Sequence, residues 1–478
     1  MLRLVSAMMA SASSLCAGPM FQDLSENLPK HIYTGGWEHF VGGGAALFDC
    51  DADSLPDIFV AGGSKPAQLI RNGGDFEFTL ATVPEITVVT GAYPIDINGD
   101  GLMDLFVLRV GPNVVLKGGP DCTFSDVTAA WGLPTDTRPT LAIGNYVNRA
   151  DPDGPFEACD DNVILRPNPR GYAADVLTPG FCPLSMLAAK DARGRDTLRL
   201  SNDRHYYVAG GYEQMWDIET SRYLTAAEGW PKLSLWGMGI ASRDLNGDGR
   251  DEVMLTSMGD QVLQIAQVDG RYRAAPFEFG IYAHRPYTGG DGRPSTGWHA
   301  EFADVDNDAR ADLFIAKGNV DQMPGMATRD PNNLLLQQPD GTSQEVGFEA
   351  GIASIKRSRG GGLADLDGGG RLDLIVVNRR SPLQLYRNVT AQGGNWLRLD
   401  LRQPGGNRNA IGAVVRVTTV EGVQVLQKLI GGGHASGQAL PLHVGLGAAE
   451  NATVQVTWPD GSRTEKALIA GQSHLIEK

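Results

Sequence analysis

The sequence predicts an all-β fold: a seven-bladed β-propeller followed by a small C-terminal β-sandwich-like domain. Three observations predict it: an acidic loop motif recurs along the chain, an apolar strand follows each copy, and no segment carries a long stripe of 3.6-residue period. Glycine makes up 61 of the 478 residues, about twice its usual share, and this suits short strands joined by tight turns.

The recurring motif carries carboxylates or amides at positions 1, 3 and 5 and a further acid at position 9. Its side chains are Asp49, Asp51, Asp53 and Asp57; Asp96, Asn98, Asp100 and Asp104; Asp244, Asn246, Asp248 and Glu252; Asp304, Asp306, Asp308 and Asp312; and Asp365, Asp367 and Asp373. In the last copy Gly369 takes position 5, so one side-chain oxygen is missing there. Glycine-rich runs such as GGGAALF and RGGGLA precede some copies, as expected where backbones pack closely near an axis.

The spacing of the copies predicts the number of blades. Successive copies begin 47, 148, 60 and 61 residues apart. The long gap accommodates three units, and two degenerate copies fall inside it, around Asn145 and around residues 191–196. Seven units of roughly 45–60 residues are typical of seven four-stranded blades. We therefore predict a propeller over residues 19–394, with an irregular insert at about residues 149–203, and a tail domain over residues 395–478.

The motif chemistry predicts calcium binding at about four or five sites. Alternate side chains of a tight loop converge on one point, so the oxygens at positions 1, 3 and 5 form half of a cage that the acid at position 9 closes. The backbone carbonyl at position 7 can add a ligand, and the residues there are Leu55, Leu102, Arg250, Arg310 and Arg371. Hard oxygen ligands suit Ca²⁺, which takes about 6–8 of them. An EF-hand needs a glutamate at position 12 and flanking helices, so it is excluded, and solvated Asp/Gly turns remain the alternative.

The charge balance agrees with cation binding. The chain has a net charge of -15, and 17 of its 56 acids occupy motif positions, which leaves 39 acids facing 41 bases elsewhere. Acids crowded in this way repel one another unless a cation or protons intervene. The acidic balance argues against a general nucleic-acid binder. Beyond the first 18 or so residues, no apolar run approaches the ~20 residues that a membrane span needs.

The N-terminus and the cysteines predict an extracytoplasmic protein. Residues 1–18 resemble a short secretory signal peptide that contains Cys16. The remaining cysteines are Cys50, Cys122, Cys159 and Cys182, an even number that fits an oxidising compartment. They allow three connectivities, of which Cys159–Cys182 is favoured because both residues lie in the Pro/Gly-rich insert.

The tail carries four recognisable segments: NWLRLDL at 395–401, NRNAIGAVVRV at 407–417, LHVGLG at 442–447 and VTWPDG at 456–461. Through these segments it resembles the ASPIC/UnbV domain of the cartilage acidic protein family. The acidic repeats resemble the FG-GAP/VCBS repeats of integrin α-subunit propellers and of many bacterial secreted proteins. The resemblance implies calcium-loaded blades, a small all-β tail and an extracytoplasmic location, and it implies no known reaction.

Two functions compete at this point. The first is a secreted or periplasmic calcium-binding scaffold that recognises an extracellular protein or carbohydrate. The second is a hydrolase or lyase that acts on a surface polymer at the mouth of the propeller channel, with Asp203, His205 and His299 as candidate residues. Residues 204–207 could also form a binding surface, although a strand end with ordinary hydrogen bonds is the simpler interpretation. Since closing a propeller requires its ends to meet, we expect the tail to cover or extend the last blade.

Overall fold

The computed structural model describes residues 18–132, 140–142, 144–145, 161–168, 171–203, 211–281, 293–320, 325–327, 329–391 and 393–478. These residues form strands and turns without an α-helix. Their short 3-10 helices span Ser25–Asn27, Trp37–His39, Pro120–Cys122, Ala226–Glu228 and Phe277–Phe279. Within this part of the chain, no helix has both the length and the apolar character that a bilayer crossing demands.

The strands of the propeller region alternate with short turns. The first group is β1 (Phe21–Asp23), β2 (Ala45–Phe48), β3 (Asp57–Val60), β4 (Gln68–Asn72), β5 (Phe78–Ala81), β6 (Val89–Ile95), β7 (Asp104–Arg109), β8 (Val114–Gly119), β9 (Thr123–Asp126), β10 (Thr140–Ala142) and β11 (Gly144–Asn145). The second group is β12 (Asn162–Asn168), β13 (Gly171–Leu177), β14 (Pro183–Lys190), β15 (Asp196–Asn202), β16 (Gln214–Asp217), β17 (Arg222–Tyr223), β18 (Gly237–Arg243), β19 (Glu252–Ser257), β20 (Val262–Ala266) and β21 (Tyr272–Ala274). The third group is β22 (Gly297–Ala303), β23 (Asp312–Lys317), β24 (Asn333–Gln337), β25 (Ser343–Glu345), β26 (Arg357–Ala364), β27 (Asp373–Arg379) and β28 (Gln384–Asn388).

Consecutive antiparallel strands form the blades of a β-propeller. Five blades are β2–β5, β6–β9, β14–β17, β18–β21 and β22–β25, and a sixth contains β26, β27 and β28. The ladders β10–β11 and β12–β13 lie between β9 and β14, where the sequence predicts its third unit. The all-β propeller is therefore confirmed, and the total of seven blades stays a prediction.

The N-terminal strand closes the last blade. β1 pairs antiparallel with β28, with Phe21 opposite Asn388 and Asp23 opposite Tyr386. The expectation that the tail extends this blade is therefore wrong, whereas Trp396 of the tail does lie against Gly370 in the acidic loop of this blade. β1 pairs with the edge of β28, so the backbone groups of that edge already have hydrogen-bond partners and no tail strand can pair there.

The tail is a two-sheet β-sandwich, as predicted. Its strands are β29 (Asn395–Arg402), β30 (Val414–Thr418), β31 (Val423–Gln427), β32 (Gly437–Ala439), β33 (Leu442–Gly447), β34 (Asn451–Thr457), β35 (Arg463–Ile469) and β36 (Gln472–Glu477). One sheet has the order β33-β29-β36 and the other β31-β30-β34-β35. Buried side chains such as Leu399, Val415, Val454 and Trp458 fill the space between them.

One tail strand joins the propeller instead of the sandwich. β32 pairs in parallel with β2, the first strand of the first blade, with Ala46 opposite Gly437 and Phe48 opposite Ala439. The segment that leads into it, residues 431–438, crosses the inner strands of the propeller, and we call it the axial plug. The first strands of five blades have register irregularities: β6, β14, β18, β22 and β26.

A disulfide joins the first two blades. Cys50, at position 2 of the first acidic loop, bonds to Cys122 in the turn between β8 and β9. Cys182 also takes part in a disulfide. Cys159, its partner in the favoured connectivity, lies outside the described residues, as do residues 1–17 of the predicted leader and residues 204–207.

Candidate metal loops

Each of the five acidic loops connects the first and second strands of a blade. The loops at residues 49–57, 96–104, 244–252, 304–312 and 365–373 join β2 to β3, β6 to β7, β18 to β19, β22 to β23 and β26 to β27. Because corresponding connections in a propeller lie on the same face, the five loops share one face of the molecule. The acid at position 9 is the first residue of the second strand in every case.

The backbone turns in the same way in all five loops. Residues at positions 4 and 6 have positive φ throughout: Ala52 and Ser54, Gly99 and Gly101, Gly247 and Gly249, Asn307 and Ala309, and Gly368 and Gly370. Left-handed residues that alternate with ordinary ones bring the intervening side chains, at positions 1, 3 and 5, to the same side of the loop. Glycine fills six of these ten positions, and the non-glycine residues adopt the same conformation.

Backbone N–H groups hold the acids at positions 1 and 5. The position 1 carboxylate accepts the N–H of position 6, as from Ser54 to Asp49 at 2.9 Å and from Gly249 to Asp244 at 2.6 Å. The position 5 carboxylate accepts the N–H of position 7, as from Leu102 to Asp100 at 3.0 Å. Position 7 residues thus lie against the acid at position 5, and Arg371, whose loop lacks that acid, donates from its side chain to the Asn388 carbonyl at 3.1 Å.

The acid at position 9 organises the blade as well as the loop. In the first blade, Asp57 accepts the N–H of Cys50 and the N–H of Asn72 on the third strand, each at 2.9 Å. Asp104, Asp312 and Asp373 make the same pair of bonds in their own blades. This acid therefore ties the loop to the second and third strands whether or not a cation is bound.

Several side-chain oxygens have the arrangement that a cation requires. Oxygens of Asp49, Asp51 and Asp53 lie within 4.8 Å of one another, and so do those of Asp304, Asp306 and Asp308. The Asp51 side chain is only 2% exposed, and its Oδ1 atom has no hydrogen-bond partner. Asp49 Oδ1 and Asp365 Oδ1 are likewise buried without a partner. Unpaired carboxylate oxygens in buried positions are costly, so these loops fit a hard cation.

The electrostatics of the loops favour a bound positive charge. Burial, together with neighbouring acids, raises the pKa of Asp57 to about 7, of Glu252 to about 8 and of Asp373 to about 8. Burial also raises the pKa of Asp304 and Asp312 well above the usual range, and the other acids of that loop add to this effect. A cation among these groups would offset the cost of keeping several carboxylates ionised.

A basic side chain also pairs with one acid of each loop. The pairs are Arg71–Asp51, Lys117–Asp100, Arg250–Asp248, Arg310–Asp308 and Arg387–Asp367. Three of these bases lie on the third strand of the blade, and two lie at position 7 of the loop. Sequence reasoning missed them as partners, although a base directly before the third-strand residue that binds the position 9 acid is a usable signal.

The degenerate copy at residues 191–196 forms a shorter loop, in which an arginine side chain pairs with the acid at position 1. Asp191 is buried, and its Oδ2 atom accepts from Nε and Nη2 of Arg195 at 2.8 and 2.5 Å. Its Oδ1 atom accepts the backbone N–H of Arg193 and of Arg195. A guanidinium group therefore provides the positive charge in this blade. The other degenerate copy, around Asn145, is described only in part.

The axial plug contacts His299, one of the candidate residues that the sequence highlights. His299 is 2% exposed; its Nδ1 atom accepts the N–H of His434 at 3.2 Å, and its Nε2 atom faces Glu301 at 3.1 Å. Ser436 Oγ accepts the N–H of Ala45 at 3.1 Å, so Ser436 has a structural role. Asp203 is buried, while His205 lies outside the described residues. The structure does not bring Asp203 and His299 together as a described site.

Family models match both parts of the chain. Residues 403–478 match the model described as ASPIC and UnbV. Residues 49–107, which contain the first two acidic loops, match the FG-GAP-like repeat. Both matches fall within the parts of the chain where the motifs predict these domain types. The resemblance stated from the sequence is therefore confirmed.

The chain is also similar to cartilage acidic protein 1. The protein from Homo sapiens is 30% identical over 178 residues, which are 36% of this chain and 26% of that protein. The proteins from Mus musculus and Xenopus tropicalis are each 27% identical, over 244 and 246 residues, which are 50% of this chain and 36% of theirs. This chain thus matches between 26% and 36% of the length of these curated relatives.

Solved structures resemble the chain at low sequence identity. The crystal structure of BBS1N in complex with ARL6DN, soaked with lead, covers 72% of this chain and 90% of its own, at 10% identity and a TM-score of 0.43. The Dos1 propeller covers 75% of this chain and 94% of its own, at 10% identity and a TM-score of 0.34.

Proposed function

We propose that the protein is an extracytoplasmic calcium-binding scaffold whose propeller recognises an extracellular protein or carbohydrate. The observation that carries this proposal is the set of buried, unpartnered oxygens in the acidic loops, above all Asp51 Oδ1 beside Asp49 and Asp53. Asp49, Asp51 and Asp53 would hold one ion, and the corresponding side chains of the other four loops would hold theirs. The Cys50–Cys122 disulfide supports an oxidising location.

The five salt bridges are the competing explanation for the acidic loops. A guanidinium or ammonium group that neutralises one acid leaves two or three further acids in each loop, and Asp191 pairs with Arg195 in a loop that has lost those further acids. The remaining negative charge favours a divalent cation in addition to the basic side chain. Rigid loops would then hold the blades in one arrangement for ligand binding.

A calcium titration of the chelator-treated chain, followed by calorimetry and by thermal melting, tests the proposal. We expect about four or five sites and a higher melting temperature in calcium, because a ligand that binds only the folded state stabilises it. Replacing Asp51 and Asp53 with Asn should remove one site. The matched control Asp340→Asn removes a charge from an exposed turn and should leave the stoichiometry unchanged. Absence of binding would mean that the salt bridges suffice, and it would overturn the proposal.

The alternative function, a hydrolase or lyase at the channel mouth, requires an acid or base open to a polymer substrate. A cavity beside the plug is lined by His299, Glu301 and Asp304. The plug already hydrogen-bonds to two of these side chains, through the His434 N–H to His299 and through Gln438 to Glu301.

A further inference from the structure

The inner strands of the propeller are shaped around the axial plug. A Cβ atom at Gly44 would lie 1.7 Å from the carbonyl oxygen of Ala435, and one at Gly91 would lie 2.0 Å from the same atom. On the plug itself, a Cβ atom at Gly433 would lie 2.1 Å from the imidazole ring of His299. A side chain at Gly44, Gly91 or Gly433 would clash with its neighbour. Glycine at these positions therefore lets the inner strands and the axial plug pack closely against each other.

Hydrogen bonds connect the plug to several blades at once. Gly433 and Ile240 exchange backbone hydrogen bonds of 2.7 and 3.0 Å, and Ser185 Oγ donates to the Gly433 carbonyl at 2.7 Å. Gln438 Nε2 donates to Glu301 at 2.9 Å. His434 is fully buried, and its Nε2 atom contacts the Val41 carbonyl. These partners belong to the first strands of the blades and to the segment before β2, so the plug stays in place only while those strands keep their arrangement.

The tail that carries the plug rests on the acidic loops. Arg398 Nη2 donates to the Ser54 carbonyl at 2.7 Å in the first loop. In the loop at residues 304–312, Asn307 accepts from Gly447 N–H at 2.8 Å, and its side-chain Oδ1 atom lies 2.7 Å from His443 Nε2. A Cβ atom at Gly370 would lie 1.8 Å from the Trp396 ring. The tail contacts Ser54, Asn307 and Gly370, which are left-handed residues of the acidic loops. The same loop conformation therefore shapes the candidate ion sites and supports the tail.

We propose that cation binding in the acidic loops keeps the tail seated and thereby keeps the axial plug in the channel. This inference rests on the proposed calcium function and adds a regulatory consequence to it. Loops whose acids are neutralised keep the conformation that the tail contacts, whereas mutual repulsion of unneutralised acids loosens it. Because coupling between two binding events is reciprocal, the plug must favour cation binding by the same factor by which the cation favours the plug.

Hydrogen exchange of the full chain measures how cation binding affects the axial plug. We expect the amides of residues 431–438 to exchange at least about tenfold faster in chelator than in calcium, in line with common coupling strengths. The double variant Asp306→Asn, Asp308→Asn removes two ion ligands and also two of the four repelling charges in the loop beneath the tail, so its plug exchange should differ less between calcium and chelator. The matched control Asp340→Asn should behave like the natural sequence.

Calorimetry on a plug variant measures how the axial plug affects cation binding. Gly433→Ala introduces the contact with His299 and leaves every loop acid unchanged, and we expect it to weaken calcium binding by about the same factor. If calcium binds normally while plug exchange does not depend on it, the coupling is wrong and the calcium scaffold stands. If calcium does not bind at all, the proposed function itself is wrong, and the coupling falls with it. The comparison of hydrogen exchange in calcium and in chelator uses the natural sequence, so it tests the coupling even if a variant does not fold.

Discussion

Positions 4 and 6 of all five acidic loops have a left-handed backbone, whether or not the residue there is glycine. Three loops use glycine at both positions, whereas the first loop uses Ala52 and Ser54 at φ of 63° and 73°. A left-handed backbone costs a residue with a Cβ atom about 1–2 kcal/mol. The first loop therefore carries backbone strain that other contacts of the folded chain have to offset.

Substituting Ala52 with glycine should stabilise the protein. Ala52 is exposed, so no packing is lost, and relief of the left-handed strain outweighs the larger unfolded-state entropy of glycine. We expect the free energy of unfolding to rise by about 1 kcal/mol in a denaturant titration. As a control, Ala274→Gly in the exposed strand β21 should lower it by about 0.5–1 kcal/mol. Equal effects of the two substitutions would show that the loop conformation in solution differs from the one described.

The histidine of the plug should make stability depend on pH. Burial lowers the pKa of His434 to about 4 from its usual 6.5, and the charges of Arg359 and His299 add to this effect. Between these pH values the unfolded chain binds a proton that the folded chain does not, so the free energy of unfolding falls as the pH falls. The contribution is about 3 kcal/mol over the full window.

A His434→Gln variant isolates this contribution. Its amide nitrogen matches the position of Nε2 and can donate to the Val41 carbonyl, but it takes up no proton. Denaturant unfolding at about pH 7 and about pH 4 should show a pH dependence smaller by about 3 kcal/mol than in the natural sequence. The difference in the free energy of unfolding between the two proteins at about pH 7 gives the packing cost of the substitution. If the free energy of unfolding depends on pH equally in both proteins, the contribution does not come from His434.

At the scale of elements, the first strand of each blade has two tasks. In five blades its C-terminal end leads into one of the acidic loops, and some of these strands also contact the tail segment at the axis: β2 pairs with β32, and β18 contacts Gly433. The glycine-rich runs in these strands predicted close packing at an axis, and that interpretation is correct. Their partner was not predictable, because a segment far along the chain supplies it and pairing between distant strands leaves no local pattern.

The acidic loops were predictable as elements, and their neutralising partners were not. Repetition at a regular period marks the loops, since positions 1, 3, 5 and 9 recur in the sequence. Arg71 and Lys117 reach their loops from third strands, at a separation that depends on blade length. Only strand register places these bases beside the acids.

At the scale of the whole molecule, the propeller and the sandwich are joined by the plug, by β32 and by the loop contacts of Arg398, His443 and Trp396. The tail is therefore not a separate appendage. Because so many contacts cross the boundary, we expect the intact chain to melt in one cooperative transition in calcium.

Core substitutions in either part test this cooperativity. Trp458→Ala in the sandwich core and Leu374→Ala in the propeller should each destabilise by a few kcal/mol, about 3–5 for the tryptophan. Calorimetry should show both variants shifting the same single transition. Two transitions, with each variant shifting only one of them, would show that the domains fold independently.

The sequence by itself determined the all-β class, the acidic loops, the resemblance of both domains and the sandwich nature of the tail. These features follow from local patterns: alternation, turn residues and a repeat with a regular period. Only the tertiary structure decided that β1 closes the last blade, that Cys50 pairs with Cys122, and that a tail segment packs against the inner strands of the propeller while the tail rests on the loops. Each of these depends on contacts between residues far apart in the chain, where the geometry of the closed propeller, and no local preference, selects the partner.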